Sequence, residues 1–139
     1  MKDCLFCQFI RKEKKCPVIY EDEHTFVMLD VRPATVQGGH SLVMPKKHYE
    51  LITEIPDDEL AHVAATIKKV SKALLKYADG VNVLQNNKGA AGQFQPHVHF
   101  HIIPRYEGDG IQIEVWDEKH YGDGEAEKVV KKIRNLLKD

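Results

Sequence analysis

Histidine alternates with an apolar residue in the run His97-Val98-His99-Phe100-His101, and Ile102-Ile103 follow. In a strand, successive side chains leave opposite faces, so three imidazoles would share one face and Val98, Phe100 and Ile102 the other. The apolar face explains itself as core. The histidine face does not, because an exposed strand face is ordinarily built from Thr, Lys or Glu, and His has no special strand propensity. At about 3.3 Å per residue, His97 and His101 lie ~13 Å apart, too far for both to hold one ion at about 2 Å. Neighbours in the series could share one. The spacing therefore points to a mixed site, with some histidines structural and others reactive. An imidazole with a pKa of about 6.5 is largely unprotonated at neutral pH, and its attack on phosphorus gives a labile phosphoramidate that splits one hard displacement into two.

Two further segments could do chemistry. Cys4-x-x-Cys7 has the spacing of half a tetrahedral zinc site, and the alternative is a pair of small buried thiols in a short helix. Asn86-Asn87-Lys88-Gly89-Ala90-Ala91-Gly92-Gln93 combines small residues with amide donors, so that backbone N–H groups could approach an anion; the alternative is a simple turn. Cys16, His24, His62 and His120 have no such companions and read as loop or surface residues.

The chain that must position these groups has 139 residues, which is one domain, 1–139, by size. Its composition, 42% hydrophobic and 29% charged, is that of a folded globular chain and excludes disorder. There is no apolar run long enough to span a membrane. A net charge of -1 lacks the positive bias of a dedicated nucleic-acid binder. Three cysteines fit a disulfide framework poorly, and Met1-Lys2-Asp3-Cys4 does not begin a secretion signal. Reduced thiols and a cytoplasmic location are expected.

The patterning predicts an α+β fold on an antiparallel sheet. Leu5, Phe6, Phe9 and Ile10 suggest a short amphipathic helix. Val18–Tyr20 and Thr25–Leu29 suggest a hairpin, and Ser41–Met44, Val81–Leu84 and His97–Ile103 suggest further strands. From Asp57 to about Tyr77 the period becomes helical, with Leu60, Ala64, Ile67, Ser71, Leu74 and Ala78 on one stripe, widened by Val63 and Val70. A last helix is expected over Glu125–Leu137, with Val129, Val130, Ile133, Leu136 and Leu137 as its apolar face.

His-Val-His-Phe-His-Ile-Ile resembles the signature of the histidine-triad (HIT) superfamily of nucleotide hydrolases and transferases, in which three histidines alternate with apolar residues. The resemblance extends to Tyr20-Glu21-Asp22-Glu23, the segment around Asp30, and Gly39-His40-Ser41-Leu42-Val43-Met44-Pro45-Lys46-Lys47-His48, fading after about Gly110. It implies a HIT fold: a sheet of about five strands, one long and one C-terminal helix, and pairing into a homodimer. In the dimer the segment Asp109–Asp123 would reach toward the partner's site.

The resemblance also implies roles. His99 is the nucleophile that forms a nucleotidyl-histidine intermediate at the α-phosphorus, with the carbonyl of His97 accepting a hydrogen bond from its other nitrogen. His101 and His40 contact the phosphate and leaving group. Asp30 binds ribose, Leu5, Phe6, Phe9 and Val31 wall the purine, and Asn86, Gly92 and Gln93 hold the phosphates. Cys4, Cys7, His48 and His97 complete a structural zinc site. One position departs: Phe94 stands where many members carry Ser or Thr, and Gln93 or Gln95 could supply the missing donor. The expected activity is hydrolysis of a purine nucleotide conjugate, a nucleoside phosphoramidate or a dinucleoside polyphosphate, the latter able to bring a divalent metal. The rivals are a nucleotidyltransferase that uses phosphate as acceptor, and a nucleotide-binding regulatory protein with incidental hydrolysis.

Overall fold

The structure is a computed structural model and describes residues 4–138. The chain divides into two compact units, Met1–Asp109 and Gly110–Asp139. The first runs α1 (Leu5–Ile10), β1 (Val18–Glu21), β2 (Thr25–Leu29), β3 (Ser41–Pro45), α2 (Asp57–Leu74), β4 (Gly80–Gln85) and β5 (Phe100–Arg105), with single 3₁₀ turns at Ile52–Glu54 and Gly89–Ala91. All the strands pair antiparallel in one sheet of order β1-β2-β3-β5-β4.

The sheet is covered on both faces, so β2 and β3 bury nearly every residue. On one face Val27, Val43, Phe100 and Ile102 pack with Val63, Val70 and Leu74 of α2. On the other Phe26, Met28, Leu42 and Met44 pack with Phe6 and Phe9 of α1 and with Cys4 and Cys7. His101 stands opposite Leu42 in the β3–β5 register and therefore belongs to the α1 face. His101 thus sits on the sheet, with His40 just before β3 and His97 and His99 just before β5, the latter two against Phe6 of α1.

Two expectations shift in detail. The long helix ends at Leu74, and it buries Val63, Thr66, Val70 and Leu74, while Ala64 is exposed and Leu60, Ile67 and Ser71 are half-buried. The stripe is rotated by a residue because Thr66 Oγ1 bonds Thr25 Oγ1 at 3.0 Å and so belongs inside. The last strand begins at Phe100 rather than His97. Pro96 has no N–H to give, and the Val98 N–H is taken by Tyr49 O at 2.7 Å, outside the sheet ladder.

In the second unit α3 (Glu125–Leu137) forms as predicted, with Val129, Val130, Ile133, Leu136 and Leu137 all exposed. Among the described residues no helix is long and apolar enough to cross a membrane.

Candidate active site and metal centre

The triad histidines divide by depth. His97 is fully buried, and its Nε2–H donates to Pro45 O at 2.9 Å. That bond leaves Nδ1 as a lone pair, aimed at Cys4 Sγ (3.4 Å) and Cys7 Sγ (3.5 Å). His48 Nδ1 lies 3.4 Å from Cys7 Sγ. The four donor atoms of Cys4, Cys7, His48 and His97 lie within 4.8 Å of one another. A tetrahedral ion with bonds of about 2.3 Å to sulfur and about 2.0 Å to nitrogen requires S···N edges of about 3.5 Å, so the set fits a closed tetrahedral metal. The second shell is in place too, in the Pro45 carbonyl on His97 and in the Cys7 N–H on Cys4 Sγ at 3.3 Å. Without a cation the cluster favours neutral groups. Burial, then the neighbouring Cys4, pushes the Cys7 thiol up to about 11, and burial lowers His97 to about 4.

His99 donates its Nδ1 proton to the His97 carbonyl at 2.7 Å, which leaves Nε2 unprotonated. Burial pushes its pKa below the ordinary value, against the His97 bond and the charge of Asp30. The ring is held on edge against Phe6, with centroids 5.0 Å apart at 88°. The result is a neutral, oriented imidazole with a free lone pair.

His40 and His101 are fixed by a main-chain donor. The Ala34 N–H donates to His40 Nδ1 at 2.9 Å, so the His40 proton sits on Nε2 and donates to His101 Nδ1, also at 2.9 Å. The remaining proton of neutral His101 is therefore on its Nε2, a donor beside the His99 ring, whose centroid is 5.1 Å away. Burial lowers both rings; for His101 the adjacent His99 and His40 lower it further, to about 4. Asp30, His40 and His101 also bring donor atoms within 4.8 Å of one another. The tautomer argues against ligation there, since a ring proton occupies the middle of the trio.

The other expected residues fall into two groups. Phe6 and Phe9 are buried, with rings 6.4 Å apart, and Leu5 is half-buried beside them. Val31 is 65% exposed. Asn86 approaches Gly92, whose φ of +91° is open to glycine and strained for any other residue. Gln93 is used at both ends: its oxygen accepts the Lys88 N–H at 2.7 Å, and its nitrogen donates to Glu50 O at 2.7 Å and Gln95 O at 3.1 Å. Phe94 is 95% exposed. His24 and His62, expected as unrelated surface residues, are stacked with centroids 3.9 Å apart. Sequence reasoning missed Ala34 and Pro45, which act through main-chain atoms that carry no side-chain signal.

A family model described as HIT domain matches residues 11–108. An uncharacterized HIT-like protein of Methanocaldococcus jannaschii is 46% identical over 132 residues, 94% of this chain and 98% of that one. The adenylylsulfatase HINT3 of Arabidopsis thaliana is 38% identical over 97% of this chain and 70% of its own. The adenosine 5'-monophosphoramidase hnt1 of Schizosaccharomyces pombe is 39% identical over 73% of this chain and 74% of its own. Among solved structures, a HIT family member from Bacillus subtilis superposes with a TM-score of 0.87 at 33% identity, covering 96% of each chain. A Zn-bound histidine triad family protein from Mycobacterium smegmatis gives 0.73 at 31% identity, covering 99% of this chain and 96% of that one. Sequence match and fold agree, and the chain belongs to the HIT family.

Proposed function

We propose that the chain is a hydrolase acting at the α-phosphate of a purine nucleotide conjugate, through a nucleotidyl intermediate on His99. The observation that carries this reading is the bond from His99 Nδ1–H to the His97 carbonyl, which leaves Nε2 of a half-buried ring unprotonated. His99 Nε2 attacks phosphorus as the bond from phosphorus to the amine, sulfate or second nucleotide breaks; the leaving group keeps the electron pair, and an amine takes up a proton from solvent as it departs. The imidazole becomes cationic as the N–P bond forms, and the His97 carbonyl stabilises that charge through the same hydrogen bond. His101 Nε2–H bonds a phosphoryl oxygen as it gains charge. Water then attacks phosphorus and gives up a proton to solvent, the N–P bond breaks with its electron pair returning to His99 Nε2, and nucleoside monophosphate leaves. The names of the Arabidopsis and Schizosaccharomyces relatives support an adenylyl conjugate as substrate.

Cys4, Cys7, His48 and His97 hold a structural zinc in this reading, supported by their donor spacing and by the Zn-bound relative. With four protein ligands the ion supplies cross-linking rather than an open coordination site. Phe6 and Phe9 wall the base, and Asn86, Gly92 and Gln93 shape the phosphate loop. Residues 1–139 act as one cytoplasmic domain that pairs, as the family resemblance implies, into a two-fold homodimer with a continuous sheet.

The test is a panel of adenosine phosphoramidates and diadenosine polyphosphates, with alkaline trapping and mass analysis of His99. His99→Ala should lose the adduct and about 10³-fold or more in kcat. Unchanged activity in that variant refutes the nucleophile. ADP formed in the presence of phosphate, in place of AMP, identifies a transferase. Tight binding with negligible turnover across the panel identifies a binding protein.

A further inference from the structure

The stretch that follows His48 lies against the segment leading to His99, and the two are stitched together outside the sheet. Tyr49 O accepts the Val98 N–H at 2.7 Å, Glu50 O accepts a proton of Gln93 Nε2 at 2.7 Å, and the Ile52 N–H donates to Asn87 Oδ1 at 2.9 Å. Residues 49, 50 and 52 thus meet 98, 93 and 87, so the two segments run antiparallel. Between Asn87 and Gln93 the chain turns through Gly89–Ala91 and offers no regular ladder. The two amide side chains reach across in its place. Asn87 is itself held, since its Nδ2 donates to Gln85 Oε1 at 2.6 Å and Gln85 Nε2 donates back to its Oδ1 at 3.2 Å. Gln93 closes the loop on itself as well: Nε2 gives its second proton to Gln95 O at 3.1 Å, and Oε1 accepts the Lys88 N–H at 2.7 Å.

We propose that Asn87 and Gln93 are positioning residues that lock the loop 88–92 against His99 through the main chain of residues 49–52, and that Gln93 gives the phosphate no bond of its own. The inference rests on the function proposed above, with this loop holding the phosphates. A primary amide has two N–H groups, and Gln93 spends both on carbonyl oxygens, so none is left for a phosphate. Val98 is the residue between His97 and His99, and the carbonyl that fixes it belongs to the neighbour of Glu50. One short stretch therefore holds the approach to the nucleophile and the loop together, and a loop that comes loose from it shifts relative to His99. In-line attack needs the reacting atoms about 3–3.5 Å apart, and a misplacement of about 1 Å costs on the order of 10²-fold in rate. The loop is held rather than relaxed, since Lys88 has a φ of 70°, a conformation that a residue with a side chain keeps only where its surroundings impose it.

Asn87→Ala removes the stitch to Ile52, whereas Asn87→Asp keeps an oxygen to accept it. Gln93→Leu removes the stitch to Glu50 and the acceptor of the Lys88 N–H. On an adenosine phosphoramidate, Asn87→Ala and Gln93→Leu should each lower kcat about 10- to 100-fold, and Asn87→Asp should recover most of that loss. The double variant should lose less than the product of the two single losses, because both release the same loop. Nitrogen-15 relaxation of the ligand-free protein gives a readout without turnover. Order parameters over 88–92 should fall from about 0.85 toward 0.6 in Asn87→Ala and Gln93→Leu, and stay high in Asn87→Asp. Order parameters unchanged in both deletion variants overturn the proposal. So does a Gln93→Leu enzyme that loses turnover over a loop still ordered, since that is the mark of a direct phosphate contact. Thermal unfolding checks that each variant is folded at the assay temperature, and if Asn87→Ala is not, Gln93→Leu set against Asn87→Asp decides. If the wild type forms no His99 adduct, the proposed function fails, and the order parameters still test the locking of the loop.

Discussion

The carbonyl of His97 accepts the Nδ1 proton of His99 at 2.7 Å, while the His97 ring points the other way, into the Cys4–Cys7–His48 cluster. One residue therefore joins the Cys4–Cys7–His48 cluster to the proposed nucleophile. The ring of His97 faces the cysteines, and its carbonyl holds the His99 tautomer, so both clusters share the backbone of a single residue.

Metal content follows from this link. Protein purified without chelators should carry one zinc per chain by elemental analysis. Cys4→Ser should lose it, with a drop in Tm on the order of 10 °C and a fall in kcat, although Cys4 touches no reacting atom. Zinc-free protein of undiminished stability would refute the site.

Lys88 carries backbone strain. Its φ of 70° and ψ of 164° lie in a region that essentially only glycine occupies. Lys88→Gly should relieve it and raise stability by about 1 kcal/mol, net of the greater freedom of glycine in the unfolded chain. Chemical denaturation measures the change. An unchanged or lower midpoint would mean that the loop tolerates this conformation without strain.

Acid should weaken the β1–β2 hairpin through Asp22. Burial works to raise this carboxyl, but the N–H groups of His24 and Thr25 and the hydroxyls of Tyr20 and Thr25 outweigh it and hold it at about 2. The folded pKa is below the unfolded value of about 3.9, so the stabilisation is complete above about pH 4 and is lost as pH falls through 2. Asp22→Asn should cost on the order of 1 kcal/mol at pH 7 after solvent screening, and the difference from wild type should close toward pH 2. A difference that stays constant with pH would show that charge is not the cause.

Sedimentation should give the wild type twice the 15.9 kDa chain mass, the mass of the proposed homodimer. A wild-type monomer would remove the proposed dimer.

What sequence determined by itself was the inventory and the local periods. The alternation at His97–His101 correctly put Val98, Phe100 and Ile102 into one core, because a backbone with a period of two separates its faces wherever it is extended. Local period could not locate the first residue of β5, since Val98 gives its N–H to Tyr49, nearly fifty residues away in sequence. It also could not orient α2 to the residue, because the side chain of Thr66 is claimed by Thr25 from a distant strand. The cysteine pair and the histidines were visible as candidates, and the grouping of Cys4 and Cys7 with His48 and His97 came only from family resemblance until the fold brought their atoms together. Which nitrogen of each ring carries the proton is set by tertiary contacts, and of these only the His97 carbonyl on His99 was expected, from family resemblance. Pro45 O, His97 O and the Ala34 N–H settle it for His97, His99 and His40, and His40 then settles it for His101. These are main-chain atoms common to almost every residue, so their positions, and not their identities, set which nitrogen of each imidazole keeps a lone pair and which carries a donor proton.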